Sequence, residues 1–84
     1  IDAVYIPLPT GLRKPWIIAA MEANKHVLSE KPVAINYAEA KAINDEARKR
    51  SLQFMDGVMF AHSARYEALL KLVLADCGIG TVRR

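Results

Sequence analysis

The sequence predicts an α/β fold with a doubly wound parallel sheet, and three observations predict it. Ala3-Val4-Tyr5-Ile6 is a short β-branched and aromatic run without alternation, as expected of a strand covered on both faces. Segments of helical period separate that run from two later ones. Proline, glycine and asparagine stand at the junctions, giving the order β-α-β-α-β-α-β of a layered α/β domain.

Pro7 and Pro9 end the first strand, because neither can donate to a central ladder. Thr10 and Gly11 begin a turn into a helix expected over Leu12 to Ala23. Pro15 is expected in its first turn, where a missing N–H costs little. Trp16, Ile17, Ala20 and Met21 read as its apolar face, and Asn24 as a left-handed terminator. His26 to Ser29 is the second strand, close enough in sequence for a right-handed βαβ unit.

Asn36-Tyr37-Ala38-Glu39 has the spacing of a capping box, with Asn36 as N-cap and Glu39 reaching back. The helix it opens runs to about Arg50, with Ala40, Ile43 and Ala47 inward. Asp45 with Lys49 and Glu46 with Arg50 form its expected i,i+4 pairs. Gln53 to Phe60 reads as a third strand, Gly57 marking a bulge or a close backbone approach. Ser63 caps a last helix over Ala64 to Asp76, with Tyr66, Leu69, Leu70, Val73 and Leu74 on one face. Gly78 ends it, and Thr81 to Arg84 reads as a strand cut short.

The composition narrows the function. The chain has 84 residues, a net charge of +3 and 52% hydrophobic residues. A domain of this size buries only about 60% of its unfolded surface, so the chain reads as part of a larger protein. No apolar stretch approaches the roughly 20 residues that cross a bilayer, so no membrane role is expected. The basic cluster Arg48-Lys49-Arg50 closes a helix, where cations complement the dipole, and no stacking aromatics separate its bases. That argues against a nucleic-acid partner. Cys77 is the one cysteine, so an internal disulfide is excluded and a structural thiol expected. No His, Cys or acid has metal-ligand spacing, and no metal is expected.

The candidate chemistry lies at Glu30-Lys31-Pro32, where the second strand leaves the sheet. Open α/β sheets bind ligands beyond the carboxyl ends of their strands. An amine there can exchange a proton with a substrate hydroxyl or, while charged, stabilise a developing alkoxide. The plainer alternative is a lysine whose stem packs on the sheet while its head reaches water. His62 and Arg65 follow the third strand, and by position they could reach a phosphate or a substrate. The alternative for them is a loop histidine and a surface arginine. The phosphate-binding loop G-x-G-x-x-G is absent, and Gly78-x-Gly80 does not replace it, because it follows a helix.

Glu30-Lys31-Pro32, preceded by Lys25-His26-Val27-Leu28, resembles the Glu-Lys-Pro motif of the glucose-fructose oxidoreductase, inositol dehydrogenase and MocA (Gfo/Idh/MocA) family. Val4-Tyr5-Ile6-Pro7-Leu8-Pro9-Thr10, Met55-Asp56-Gly57-Val58-Met59-Phe60 and Gly78-Ile79-Gly80-Thr81-Val82 agree in order and spacing. The run from Met55 with Phe60 and His62 looks closest to the dihydrodiol and D-xylose dehydrogenase branch.

The resemblance implies a Rossmann domain that binds NAD or NADP, NADP being slightly favoured, and an oxidoreductase acting on a sugar, polyol or dihydrodiol-like alcohol. It places residues 1–77 in the C-terminal half of that domain and 78–84 at the start of a second, α+β domain. It makes Lys31 catalytic, beside an Asp and a His of the second domain. Leu8, Pro9 and Thr10 would line the nicotinamide and its ribose. Thr10 and Arg13 stand where the family often has Asn and His, which keeps donors but changes the ribose contacts. Read from their own positions, Glu30 would anchor Lys31 or the nicotinamide ribose and amide, and Arg65 would reach cofactor phosphate or substrate. The Lys31–Pro32 bond would be cis and aim Lys31 into the cleft. The parent protein would be a cytoplasmic homo-oligomer. A non-catalytic Rossmann relative that binds a nucleotide for sensing or scaffolding is the alternative.

Overall fold

In the computed structural model, which describes residues 1–74 and residue 80, β1 (Ala3–Ile6), β2 (His26–Ser29) and β3 (Phe54–Asp56) form a parallel sheet in the order β1-β2-β3. Val4 pairs with Val27, and Val27 with Phe54. Ile6, Ser29 and Asp56 share the last row. Helices α1 (Thr10–Glu22) and α2 (Tyr37–Lys49) make the two crossovers and pack against each other. The core lies between them and one sheet face: Ile6 and Val27 meet Ile17 and Met21 of α1 and Ile43 and Ala47 of α2.

Among the described residues β1 is covered on one face only, where cover on both was expected. Both crossovers lie on the same side, so Tyr5, Leu28 and Met55, cross-strand neighbours on the other side, stay 41 to 55% exposed. The alternation hidden in the hydrophobic spelling of β1 appears in its burial, with Val4 and Ile6 facing the helices and Ala3 and Tyr5 facing away.

Helix α1 starts two residues earlier than expected, with Pro9 as N-cap. Pro15 therefore sits inside the helix, where its ring removes the bond that would run to the Gly11 carbonyl. The buried stripe is Arg13, Ile17 and Met21, four residues apart, so Trp16 falls on its flank and is 62% exposed. Asn24 ends the helix at φ 57°, with the Lys25 N–H on the Ala20 carbonyl.

Asn36 caps α2 by accepting the Glu39 N–H at 2.9 Å, while the return bond from Glu39 is not made. Glu46 pairs with Arg50 as expected. Asp45 instead pairs with Lys41, one turn upstream, at 2.5 Å. After α2, Ser51 adopts φ 56° and turns the chain toward β3.

β3 stops at Asp56, short of the expected Phe60. β2 ends at Ser29, and the Gly57 N–H takes the Ser29 carbonyl at 2.7 Å, so residues beyond it have no ladder partner. Met59–His62 tighten into a 3₁₀ turn. The Ser63 hydroxyl donates to the Phe60 carbonyl and does not cap α3 (Ala64–Leu74). The Phe60 and Tyr66 rings meet edge to face at 5.5 Å. No residue of α3 is buried, and of its expected apolar face Leu69, Leu70 and Leu74 stay exposed among the described residues. The expected helix end near Asp76, Cys77, Gly78 and the strand from Thr81 to Arg84 lie outside the described residues.

Candidate functional site

Parallel strands place all three carboxyl ends along one rim, and the Glu30–Pro32 turn leaves the middle strand there. The Lys31–Pro32 peptide is cis, as the motif led us to expect. Lys31 is exposed and borders a groove of about 580 Å³ with Tyr5, Leu28, Glu30, Gly57, Val58, Met59 and Phe60. Leu8 belongs to a second groove of about 550 Å³, walled by Ile6, Pro7, Trp16, Ala19 and Ala20 beside the end of β1. Val4 and Tyr5 also line it, so this apolar groove follows β1 to its carboxyl end, where Pro7 and Leu8 leave the sheet.

Glu30 is held on three sides. Its Oε1 accepts the Tyr5 hydroxyl at 2.7 Å, and its Oε2 accepts the Lys31 N–H at 3.3 Å. Gly57 completes the seat, because a Cβ there would lie 3.2 Å from Oε2. The expected close approach at Gly57 is therefore made by a side chain of the motif itself. The Tyr5 hydrogen bond holds the Glu30 carboxyl below its ordinary range. Burial opposes this, while the Lys31 N–H and the charges of Arg13 and Lys31 assist it. The same bond, with partial burial and the carboxylate's charge, raises the Tyr5 phenol.

The two shifts act in opposite pH ranges. The Glu30 contribution is complete above the ordinary carboxyl value of 4.5 and is lost as pH falls through the lowered folded value. The Tyr5 contribution is complete below 10.0 and is lost as pH rises through the raised folded value. Tyr5→Phe is expected to move the Glu30 pKa upward toward 4.5, read by carbon NMR of the side-chain carboxyl. An unmoved titration would exclude the hydrogen bond as the cause.

Arg13, expected at the cofactor ribose, turns inward instead. It is 6% exposed, and its guanidinium donates to main-chain carbonyls: Nε to Leu8, Nη1 to Glu30 and Pro32, Nη2 to Lys31. A charge can be buried only when its donors are satisfied, and here carbonyl dipoles do this without a carboxylate. The signal was present in the sequence: position 13 lies four residues before Ile17, on the inward stripe.

The other expected site residues are more dispersed. Pro9 is exposed at the head of α1 and Thr10 is its half-buried first residue. Pro32 is exposed, and its carbonyl joins it to Arg13. His62 ends the 3₁₀ turn and Arg65 stands in the first turn of α3; both are exposed, and neither borders the Lys31 groove. Among the described residues no cluster of His, Cys, Asp or Glu could hold a metal, and no helix is long and apolar enough to cross a membrane.

Comparison with known proteins bears on the family and the fold. The model of an oxidoreductase family with an NAD-binding Rossmann fold matches residues 1–58. The chain is 45% identical over 83 residues to a dTDP-3,4-didehydro-2,6-dideoxy-α-D-glucose 3-reductase of Streptomyces violaceoruber, covering 99% of this chain and 24% of that protein. It is 36% identical over 78 residues to a D-xylose 1-dehydrogenase (NADP(+)) of Haloferax volcanii, covering 93% and 24%. A crystal structure of a 3-ketoreductase from Actinomadura kijaniata with TDP-benzene and NADP superposes with a TM-score of 0.86 at 38% identity, covering 99% of this chain and 26% of that one. The chain thus spans about a quarter of the length of the relatives it matches.

Proposed function

The chain belongs to the Gfo/Idh/MocA family of oxidoreductases with an NAD-binding Rossmann fold, and from that premise we propose that the full-length protein is an NAD(P)-dependent oxidoreductase. It moves a hydride between the nicotinamide and a sugar, polyol or dihydrodiol-like alcohol, with NADP slightly favoured. The observation that carries this reading is the placement of Lys31: an exposed lysine on the exit turn of the middle strand, lining a groove at the rim where open α/β sheets bind ligands.

The bound nicotinamide supplies or accepts the hydride. Lys31 then holds the hydroxyl side of the reacting carbon, giving a proton on reduction and taking one on oxidation. While charged, it steadies oxyanion character at that oxygen. Leu8, Pro9 and Thr10 form the wall for the ring and its ribose. Glu30, seated by Tyr5 and Gly57, sets the turn from which Lys31 projects. Pro32 fixes the chain as it leaves. Arg65 is assigned to cofactor phosphate. Arg13 has no direct cofactor contact in this reading.

Residues 1–77 form the C-terminal half of the nucleotide-binding domain, and 78–84 open the second domain, through which a cytoplasmic homo-oligomer assembles. The 45% identity to a dTDP-deoxysugar reductase makes keto sugars the first substrates to assay, with free pentoses second. The test uses the full-length protein with NADPH or NADH and both substrate sets, followed by nicotinamide absorbance. Turnover with either class supports the reading. No turnover together with no NAD(P)H binding would overturn it.

A further inference from the structure

We propose that Arg13 is a positioning residue that sets Lys31 by gripping the main chain on both sides of the site. The proposal rests on the hydride-transfer reading above. The guanidinium joins two strand exits that are otherwise separate in sequence: the Leu8 carbonyl after β1, and the three successive carbonyls of Glu30, Lys31 and Pro32 after β2. The bonds from Nη1 are 2.6 and 2.5 Å, and that from Nη2 to Lys31 is 3.4 Å. Arginine has five N–H donors in a rigid fork, and four are engaged here. Its planarity fixes the angle between the two exits as well as their separation.

The placement distinguishes this arginine from one that merely fills the core. Its neighbours on the α1 stripe, Ile17 and Met21, are apolar and fully buried, and an aliphatic residue at 13 would continue that stripe at no desolvation cost. The carbonyls it binds belong to the segment carrying Lys31 and to the Leu8 wall, which face the two grooves at the rim. An ammonium at this position has three donors on a flexible stem and lacks the planar fork that fixes both exits together.

The test compares Arg13→Lys and Arg13→Met in the full-length protein. Rates are expressed per NADPH-binding site, counted by fluorescence titration, so that unfolded protein is excluded; should the methionine variant fail to fold, the lysine variant carries the comparison. The expected result is a kcat lower by on the order of 10²-fold in Arg13→Met, because misplacement of a reacting group by about 1 Å costs that much. Arg13→Lys should be intermediate, with KM for NADPH changed far less in both. Amide hydrogen exchange at Glu30 and Lys31 should quicken while α2 keeps its protection. Unchanged kcat and unchanged exchange in both variants, beside an active wild type, would overturn the clamp alone. A wild type without nicotinamide-dependent turnover would overturn the reading beneath it and the clamp's catalytic role together.

Discussion

Replacing Lys31 by alanine or methionine in the full-length protein is expected to lower kcat by about 10²- to 10⁴-fold, the usual contribution of a positioned proton-transfer group. Cofactor affinity should be largely retained, because the walls assigned to the ring, Leu8 and Pro9, lie on a different strand exit. Methionine keeps the length and apolar stem of the side chain, so it separates loss of the amine from loss of packing. Lys31 is exposed, so neither variant should fall measurably in stability. Single-turnover hydride transfer and NADPH titration make the separation. Turnover within about threefold of wild type would remove Lys31 from the mechanism.

Ile17→Ala is expected to cost about 2–5 kcal/mol of stability. Ile17 is 0% exposed and belongs to the core with Met21, Ile43 and the inner sheet row, so truncation removes buried apolar contacts and leaves a cavity that only Met21 can partly fill. Against a total of about 5–15 kcal/mol, such a loss should be visible as a lower denaturant midpoint. Lys49→Ala, on the wet side of α2, is the control and should change stability by less than about 0.5 kcal/mol. A comparable small effect at Ile17 would mean that α1 does not seat on the sheet as described.

These two positions mark how much is legible in the sequence. Ile17 is legible because helical periodicity isolates it, and Lys31 because it closes an apolar run before a proline. The strands, their parallel pairing, the left-handed Asn24 and the Asn36 cap follow from local chemistry, and the structure contains them. The illegible features depend on phase or on partners distant in sequence. Trp16 reads as inward when the stripe is centred one residue too early. Arg13 reads as a ribose contact when its place in the family motif is followed, whereas its place on the buried stripe brings the guanidinium to main-chain carbonyls. Tyr5 reads only as part of a strand, since its partner Glu30 is 25 residues away. The end of β3 depends on where β2 stops, which no pattern within Gln53 to Phe60 records.

The shortness of β2 has an evolutionary corollary. Its four residues alternate outward and inward, Val27 and Ser29 inward, immediately before Glu30 and Lys31. One codon gained or lost within that strand would reverse the parity of every later position up to Lys31, exchanging Glu30 with its neighbours across the sheet and unseating it from Tyr5 and Gly57. A codon added between Ser51 and Gln53 falls after β2 and leaves its parity unchanged, although it disturbs the bonds of the Leu52 N–H to Ala47 and the Gln53 N–H to His26. Natural length variation among descendants of this gene should therefore collect at the connections and be purged from His26 to Lys31.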